Sequence, residues 1–312
     1  MQNPVLSRRE FLLLSSLAGV AVAQTELYTI PGLPQQKFYF DASYEHGKLT
    51  LLRFAGTVGF VIQPHRPADR ARRWVWISPL WLALRSDYTP RDISHRYYVE
   101  AILDAGFHVV GLDVGTTCGS PAGARLYQRF YKEVLMDKHK LHQRARMIGQ
   151  SNGGLISYAW AFRHPKHVDR IFGIYPATDI RSWPGLHKLA GGSPGLHTVG
   201  SVTTVPHPPD RTPGRITPAG LAYPVSTVDE LSQRLREFNP IDNLAPLARA
   251  GVKIFHVHGD KDDLVPMGPN SEELLRRYHA LGGEAELEVL KDLGHGGQQF
   301  YHSERGLGFL LA

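Results

Sequence analysis

Arg144-Ala145-Arg146-Met147-Ile148-Gly149-Gln150-Ser151-Asn152-Gly153-Gly154 is a short strand-like run that ends in Gly-x-Ser-x-Gly and passes directly into an apolar segment. This is the pattern of a nucleophile elbow, in which a serine occupies the tip of a tight turn between a strand and a helix. The backbone at such a tip is strained, and the residues two before and two after the serine approach so closely that only small side chains fit. Gly149 and Gly153 provide that space, and Gly154 adds clearance where the helix packs against the sheet. The segment that follows, Leu155-Ile156-Ser157-Tyr158-Ala159-Trp160-Ala161-Phe162, is apolar almost all round, which suits a helix covered by its neighbours. His164-Pro165 ends it, because proline disfavours helical geometry in the residue before it. Three fixed residues in five recur by chance in glycine-rich turns, so it is the strand before and the helix after that give the motif its meaning.

Outward from the elbow, strand and helix alternate. Upstream, residues 37–41, 49–54 and 57–63 read as an opening antiparallel set, and residues 73–78 as the next strand, left through Pro79-Leu80-Trp81. Residues 92–105 then read as a helix, 107–114 as a strand, 121–137 as a helix and 168–175 as a strand. Downstream, helices are expected at 243–250, 270–281 and 298–311, with strands at 252–259 and 285–290. Apolar strands separated by helices predict an α/β fold: a mostly parallel central sheet with helices on both faces. Residues 178–239 break the rhythm with eight prolines and many glycines, so an irregular cap-like insertion is expected, either a surface loop or a substrate-facing cover. Its one helix is expected at 228–238, where Thr227 and Glu230 have the form of a capping box.

Residues 1–23 stand apart. Ser7-Arg8-Arg9-Glu10-Phe11-Leu12 precedes an apolar run to Val22, and Ala21-Val22-Ala23 has the small-x-small form of a cleavage site. The segment resembles a twin-arginine export signal, which implies contact with an export machinery and a periplasmic or extracellular bacterial protein; a retained N-terminal anchor is the alternative. The apolar run is shorter than the about 20 residues a spanning helix needs. Residues 24–312 are then expected to form one domain. A single cysteine, Cys118, excludes an intrachain disulfide framework, and alone it makes no zinc site. The formal charge of +6 is spread along the chain without a basic run, which argues against nucleic-acid binding.

An exposed serine needs a base and an acid. His258-Gly259-Asp260-Lys261-Asp262-Asp263-Leu264-Val265-Pro266 follows one strand, and on position alone Asp260, Asp262 and Asp263 compete to be the acid. Leu293-Gly294-His295-Gly296 follows the last strand and supplies the histidine. The order Ser, Asp, His is that of α/β-hydrolases. Through these three motifs the chain resembles the α/β-hydrolase superfamily over nearly all of residues 24–312. The second motif is similar to the H-G-x-x-D-x-x-V-P pattern of the prolyl-oligopeptidase-like and dienelactone-hydrolase-like branches. That resemblance implies a Ser151, Asp262 and His295 triad with no cofactor. No propeller is expected before the hydrolase part, a departure from the oligopeptidases, and the His-Gly-Gly oxyanion motif of lipases is absent from the sequence. Ile77-Ser78-Pro79-Leu80-Trp81 is instead similar to the I-S-P-G-[FY] segment of cutinase-like polyester hydrolases, with Leu80 in place of their glycine. The likeness implies an oxyanion hole from the N–H groups of Trp81 and Asn152; the simpler reading of Trp81 is a core aromatic.

The expected activity is hydrolysis of a small-molecule or polymer-borne carboxylic ester through an acyl-enzyme, with esters on polysaccharides outside the cytoplasm as one substrate class. A peptidase or amidase with the same triad is the second expectation, and a non-catalytic binding protein on the same scaffold the third. His256, His258, His139 and His142 lack the additional ligands a metal site needs, and packing or backbone roles are expected of them.

Overall fold

The computed structural model describes residues 46–312 except 56, 80–81, 85–89, 94, 115–116, 187–222, 224 and 226. The export-signal reading of residues 1–23, the strand at 37–41, Trp81 and the middle of the 178–239 insertion lie outside the described residues.

β1 (Gly47–Phe54) and β2 (Thr57–Pro64) form an antiparallel hairpin, and β2 pairs antiparallel with β6 (His108–Leu112). From β6 onward the sheet is parallel through β3 (Trp74–Ser78), β7 (Ala145–Gln150), β8 (Val168–Ile174), β9 (Lys253–Gly259) and β10 (Ala285–Leu290). The spatial order is β1-β2-β6-β3-β7-β8-β9-β10. β3 and β6 are buried at every position, as expected of inner parallel strands covered on both faces. Trp74 and Trp76 of β3 enter the core on one face while Val75 and Ile77 enter that on the other.

The first face is covered by α2 (Pro121–Phe130), α3 (Asn152–Ala161) and α6 (Glu273–Ala280). Trp76 is central there, stacked on Tyr127 at 4.2 Å between ring centres and tilted against Trp160 at 5.3 Å. Side chains of this size contribute about 2 kcal/mol or more each when fully buried. The second face is covered by α1 (Arg96–Asp104) and α7 (Glu304–Leu311), whose Tyr98, Ile102 and Leu310 meet Phe172 and Val109 of the sheet. α4 (Val228–Gln233), at the end of the insertion, begins at Thr227, whose side chain accepts the Glu230 N–H. Its Leu231 joins Tyr223, Phe238, Leu155 and Cys118 in a smaller cluster. Burial there pushes the Cys118 thiol up to about 12, so it packs as an apolar group. α5 (Ala245–Arg249) precedes β9.

Several expected helices are divided. Residues 121–137 pass from α2 into a wider π-helical segment at Tyr131–Met136, and residues 228–238 pass from α4 into a 3₁₀ turn at Leu235–Glu237. Residues 92–93 belong to β5 (Pro90–Ile93), which pairs with β4 (Leu82–Leu84) in a separate ribbon, and α1 starts only at Arg96. The 298–311 segment is a 3₁₀ turn (Gln298–Tyr301) followed by α7, because Ser303 caps a new helix by accepting the Gly306 N–H. At 270–281 a wide π-turn (Gly268–Glu272) precedes α6. Among the described residues no helix is long and apolar enough to cross a membrane.

Candidate active site

β7, β9 and β10 run in one direction, so their carboxyl ends and the loops that follow share one edge of the sheet. Ser151 follows β7 at φ 50° and ψ −121°, outside the regions open to an ordinary side chain, which costs on the order of 1–3 kcal/mol. Its N–H donates to Ile174 O at 3.0 Å, and its carbonyl accepts from Gly154 and Ala177 at 2.9 Å each, so both neighbouring segments hold the turn.

Clearance at Gly153 serves the segment after β3. A Cβ on Gly153 would lie 1.9 Å from Ser78 O and 2.5 Å from Pro79 N. The chain leading to residues 80–81 therefore runs directly against the serine turn. Gly153→Ala is expected to lower stability by about 3 kcal/mol through overpacking, read as a lower urea midpoint at unchanged slope. An unchanged midpoint would show that residues 78–79 yield freely.

The three side chains named by the motifs meet. Ser151 Oγ lies 2.9 Å from His295 Nε2, and His295 Nδ1 lies 2.7 Å from Asp262 Oδ2. A carboxylate accepts only, so Nδ1 carries the imidazole proton, Nε2 presents its lone pair, and the serine hydroxyl donates to it. Asp262 Oδ1 accepts from Leu264 N at 3.1 Å and Val265 N at 2.9 Å. Burial alone would raise the Asp262 carboxyl, but hydrogen bonds from His258, His295 and the Val265 N–H outweigh it and hold the group well below the usual carboxylate range.

The neighbouring aspartates sit elsewhere. Asp260 accepts the Asp292 N–H at 2.7 Å and pairs with Lys291 at 3.3 Å, which ties the β9 loop to the loop that carries His295. Asp263 is exposed. Asn152 is the first residue of α3, and N–H groups in a first helical turn have no intrahelical acceptor, so its N–H is available beside the serine. Trp81 is not among the described residues. No group of three or more histidine, cysteine or acidic side chains able to hold a metal occurs among the described residues.

A model of the alpha/beta hydrolase fold matches residues 91–192, a span that includes Ser151 but not Asp262 or His295. The chain has the α/β-hydrolase fold. Similar solved structures include Porphyromonas gingivalis dipeptidyl peptidase 4, with TM-score 0.56, 12% identity, and coverage of 86% of this chain and 36% of that one. Pyrococcus horikoshii acylaminoacyl peptidase gives TM-score 0.53, 14% identity, and coverage of 85% and 39%. The chain thus spans less than two-fifths of the length of either peptidase. A truncated form of a carbohydrate esterase from gut microbiota gives TM-score 0.51, 16% identity, and coverage of 81% and 89%. No curated protein matches the sequence.

Sequence reasoning missed the polar wall beside the histidine. The Tyr175 ring lies 4.4 Å from the His295 ring, and Gln150 Nε2 donates to the hydroxyls of Tyr175 (2.7 Å) and Tyr301 (2.9 Å), which also bond each other. His95 stacks on Tyr301 at 3.6 Å, and burial lowers its ring to about 4, so it stays uncharged. Only Tyr175 carried a usable signal, since it directly follows β8, whose neighbour β7 leads to the serine.

Proposed function

We propose that this protein is a serine hydrolase that cleaves carboxylic esters through an acyl-enzyme. The observation that carries the reading is the continuous contact from Ser151 Oγ through His295 to Asp262 at 2.9 and 2.7 Å. Ser151 attacks the acyl carbonyl while His295 Nε2 takes its proton, and the same nitrogen then protonates the departing alcohol. Asp262 holds the tautomer and stabilises the imidazolium. The oxyanion role is assigned to the N–H of Asn152 and, from the cutinase-like segment of the sequence alone, to that of Trp81, each donor of this kind contributing about 3–4 kcal/mol to the barrier reduction. Water activated by His295 releases the acid and restores the serine.

Ester cleavage is supported by the likeness of fold to the truncated carbohydrate esterase. A peptidase or amidase with the same array is the second reading, favoured by the likeness of fold to the two peptidases. Two assays separate the possibilities. Labelling by a fluorophosphonate is expected at Ser151, and an unlabelled folded protein would mean a scaffold without catalysis. Short chromogenic esters are expected to turn over at least about 100-fold faster, by kcat/KM, than aminoacyl anilides; the reverse order would establish the peptidase reading.

A further inference from the structure

His258 and His256, expected only to pack or to bond backbone, belong to a hydrogen-bonded chain that starts at Asp262. His258 Nε2 lies 3.3 Å from Asp262 Oδ2 and 2.8 Å from Val265 O. His258 Nδ1 lies 2.7 Å from Ser271 Oγ, and the same oxygen lies 2.9 Å from His256 Nδ1. His256 Nε2 lies 2.8 Å from the hydroxyl of Tyr158. All four side chains are fully buried.

With each of the two imidazoles neutral, hydrogen-bond chemistry sets the direction of every bond. Neither Val265 O nor the carboxylate can donate, so His258 Nε2 carries the hydrogen. With one proton on that ring, Nδ1 is bare and Ser271 donates to it. The Ser271 oxygen then accepts from His256 Nδ1–H, which leaves His256 Nε2 bare and makes Tyr158 the donor to it. Burial lowers His256 to about 3, in keeping with a single proton on that ring. Every donor in the series points toward Asp262, and hydrogen bonds aligned in this way polarise one another.

The chain also closes a ring through the fold. Tyr158 lies on α3, the helix that starts at Ser151, while His256 and His258 lie on β9 and Ser271 in the turn before α6. The nucleophile's helix is therefore joined to the acid's loop twice, once through His295 and once through these four side chains. The sheet makes room for the second connection: a Cβ on Gly173, the residue of β8 paired with His256, would lie 2.5 Å from the His256 ring.

We propose that His258, Ser271, His256 and Tyr158 are positioning residues that act in series on Asp262, holding its carboxylate and, through it, the His295 tautomer at the distance the nucleophile needs. The inference rests on the proposed serine-hydrolase reading. Its test reads the rate of fluorophosphonate labelling, which needs no knowledge of the substrate, in the full chain bearing Ser271→Ala, Tyr158→Phe or both. Cutting the chain at Ser271 is expected to slow labelling about tenfold, and removing the terminal donor about threefold. The double variant is expected to match Ser271→Ala alone rather than the product of the two effects, since Tyr158 reaches Asp262 only through Ser271. The His295–Asp262 proton, seen at low field by NMR, is expected to shift in both single variants. Labelling rates within error of the wild type, or a multiplicative double variant with an unmoved low-field proton, would overturn the series and leave these residues as packing. Tyr158→Phe keeps the ring, so it tests the idea even if Ser271→Ala fails to fold. A wild-type protein that does not label defeats the serine-hydrolase reading itself, an outcome distinct from labelled variants with unchanged rates.

Discussion

Replacing Ser151 with alanine is expected to lower kcat on a short ester by at least about 10³-fold while the melting temperature stays within about 3 °C. The hydroxyl is the only group removed. Its oxygen forms the new bond to carbon in the proposed reaction, and its hydrogen is the proton that His295 Nε2 accepts across 2.9 Å. Without it the imidazole has no neighbouring nucleophile to activate. The fold has little to lose, because Ser151 is only partly buried and its backbone bonds to Ile174, Gly154 and Ala177 do not involve the side chain. The positive φ at this position is retained, since alanine suffers there about as much as serine. Residual activity is expected from the Asn152 N–H and from binding alone. Turnover near the wild-type rate would show that hydrolysis, if present, arises away from the Ser151 array.

The parts of this fold legible in the sequence are those set by local chemistry. Inner parallel strands are apolar runs because both faces are covered, so β3, β6, β7 and β9 stand out between helical segments. The elbow is legible because a serine at φ 50° leaves so few residue types on either side of it. What was hidden depends on contacts between distant segments. Asp92 and Ile93 continue a helical pattern, yet pairing with β4 draws them into a ribbon. Period two places His256 and His258 on one face of a strand, but nothing near them in the chain says that Ser271 folds back between them or that Tyr158, 98 residues earlier, meets His256. Tyr175 and Tyr301 meet across 126 residues for the same reason.

The choice among three aspartates within four residues is where sequence position alone gave no answer and the resemblance pointed to Asp262. Asp262→Asn is expected to lower kcat by about 10³–10⁴-fold, because the surroundings dictate which way the new amide turns. Oδ1 of Asp262 already accepts from the N–H groups of Leu264 and Val265. An asparagine keeps its oxygen there, since the NH₂ group cannot accept, and so presents NH₂ where Oδ2 now faces His295. Two donors would then meet at His295 Nδ1 unless the imidazole moves its proton to Nε2. That tautomer points N–H at Ser151 and has no lone pair with which to take the serine proton. The same NH₂ would also oppose His258 Nε2–H, which now lies 3.3 Å from the carboxylate. Asp260→Asn is expected to lower kcat less than about tenfold, since its amide oxygen still accepts the Asp292 N–H and only the exposed Lys291 pair is weakened. Asp263→Asn is expected to have an effect within about twofold, as that side chain is exposed. The measurement is kcat for the three variants on one short ester at mildly alkaline pH, with melting temperatures alongside. A crippled Asp263→Asn beside an active Asp262→Asn would move the acid to the neighbouring residue and, with it, the anchor of the His258 chain.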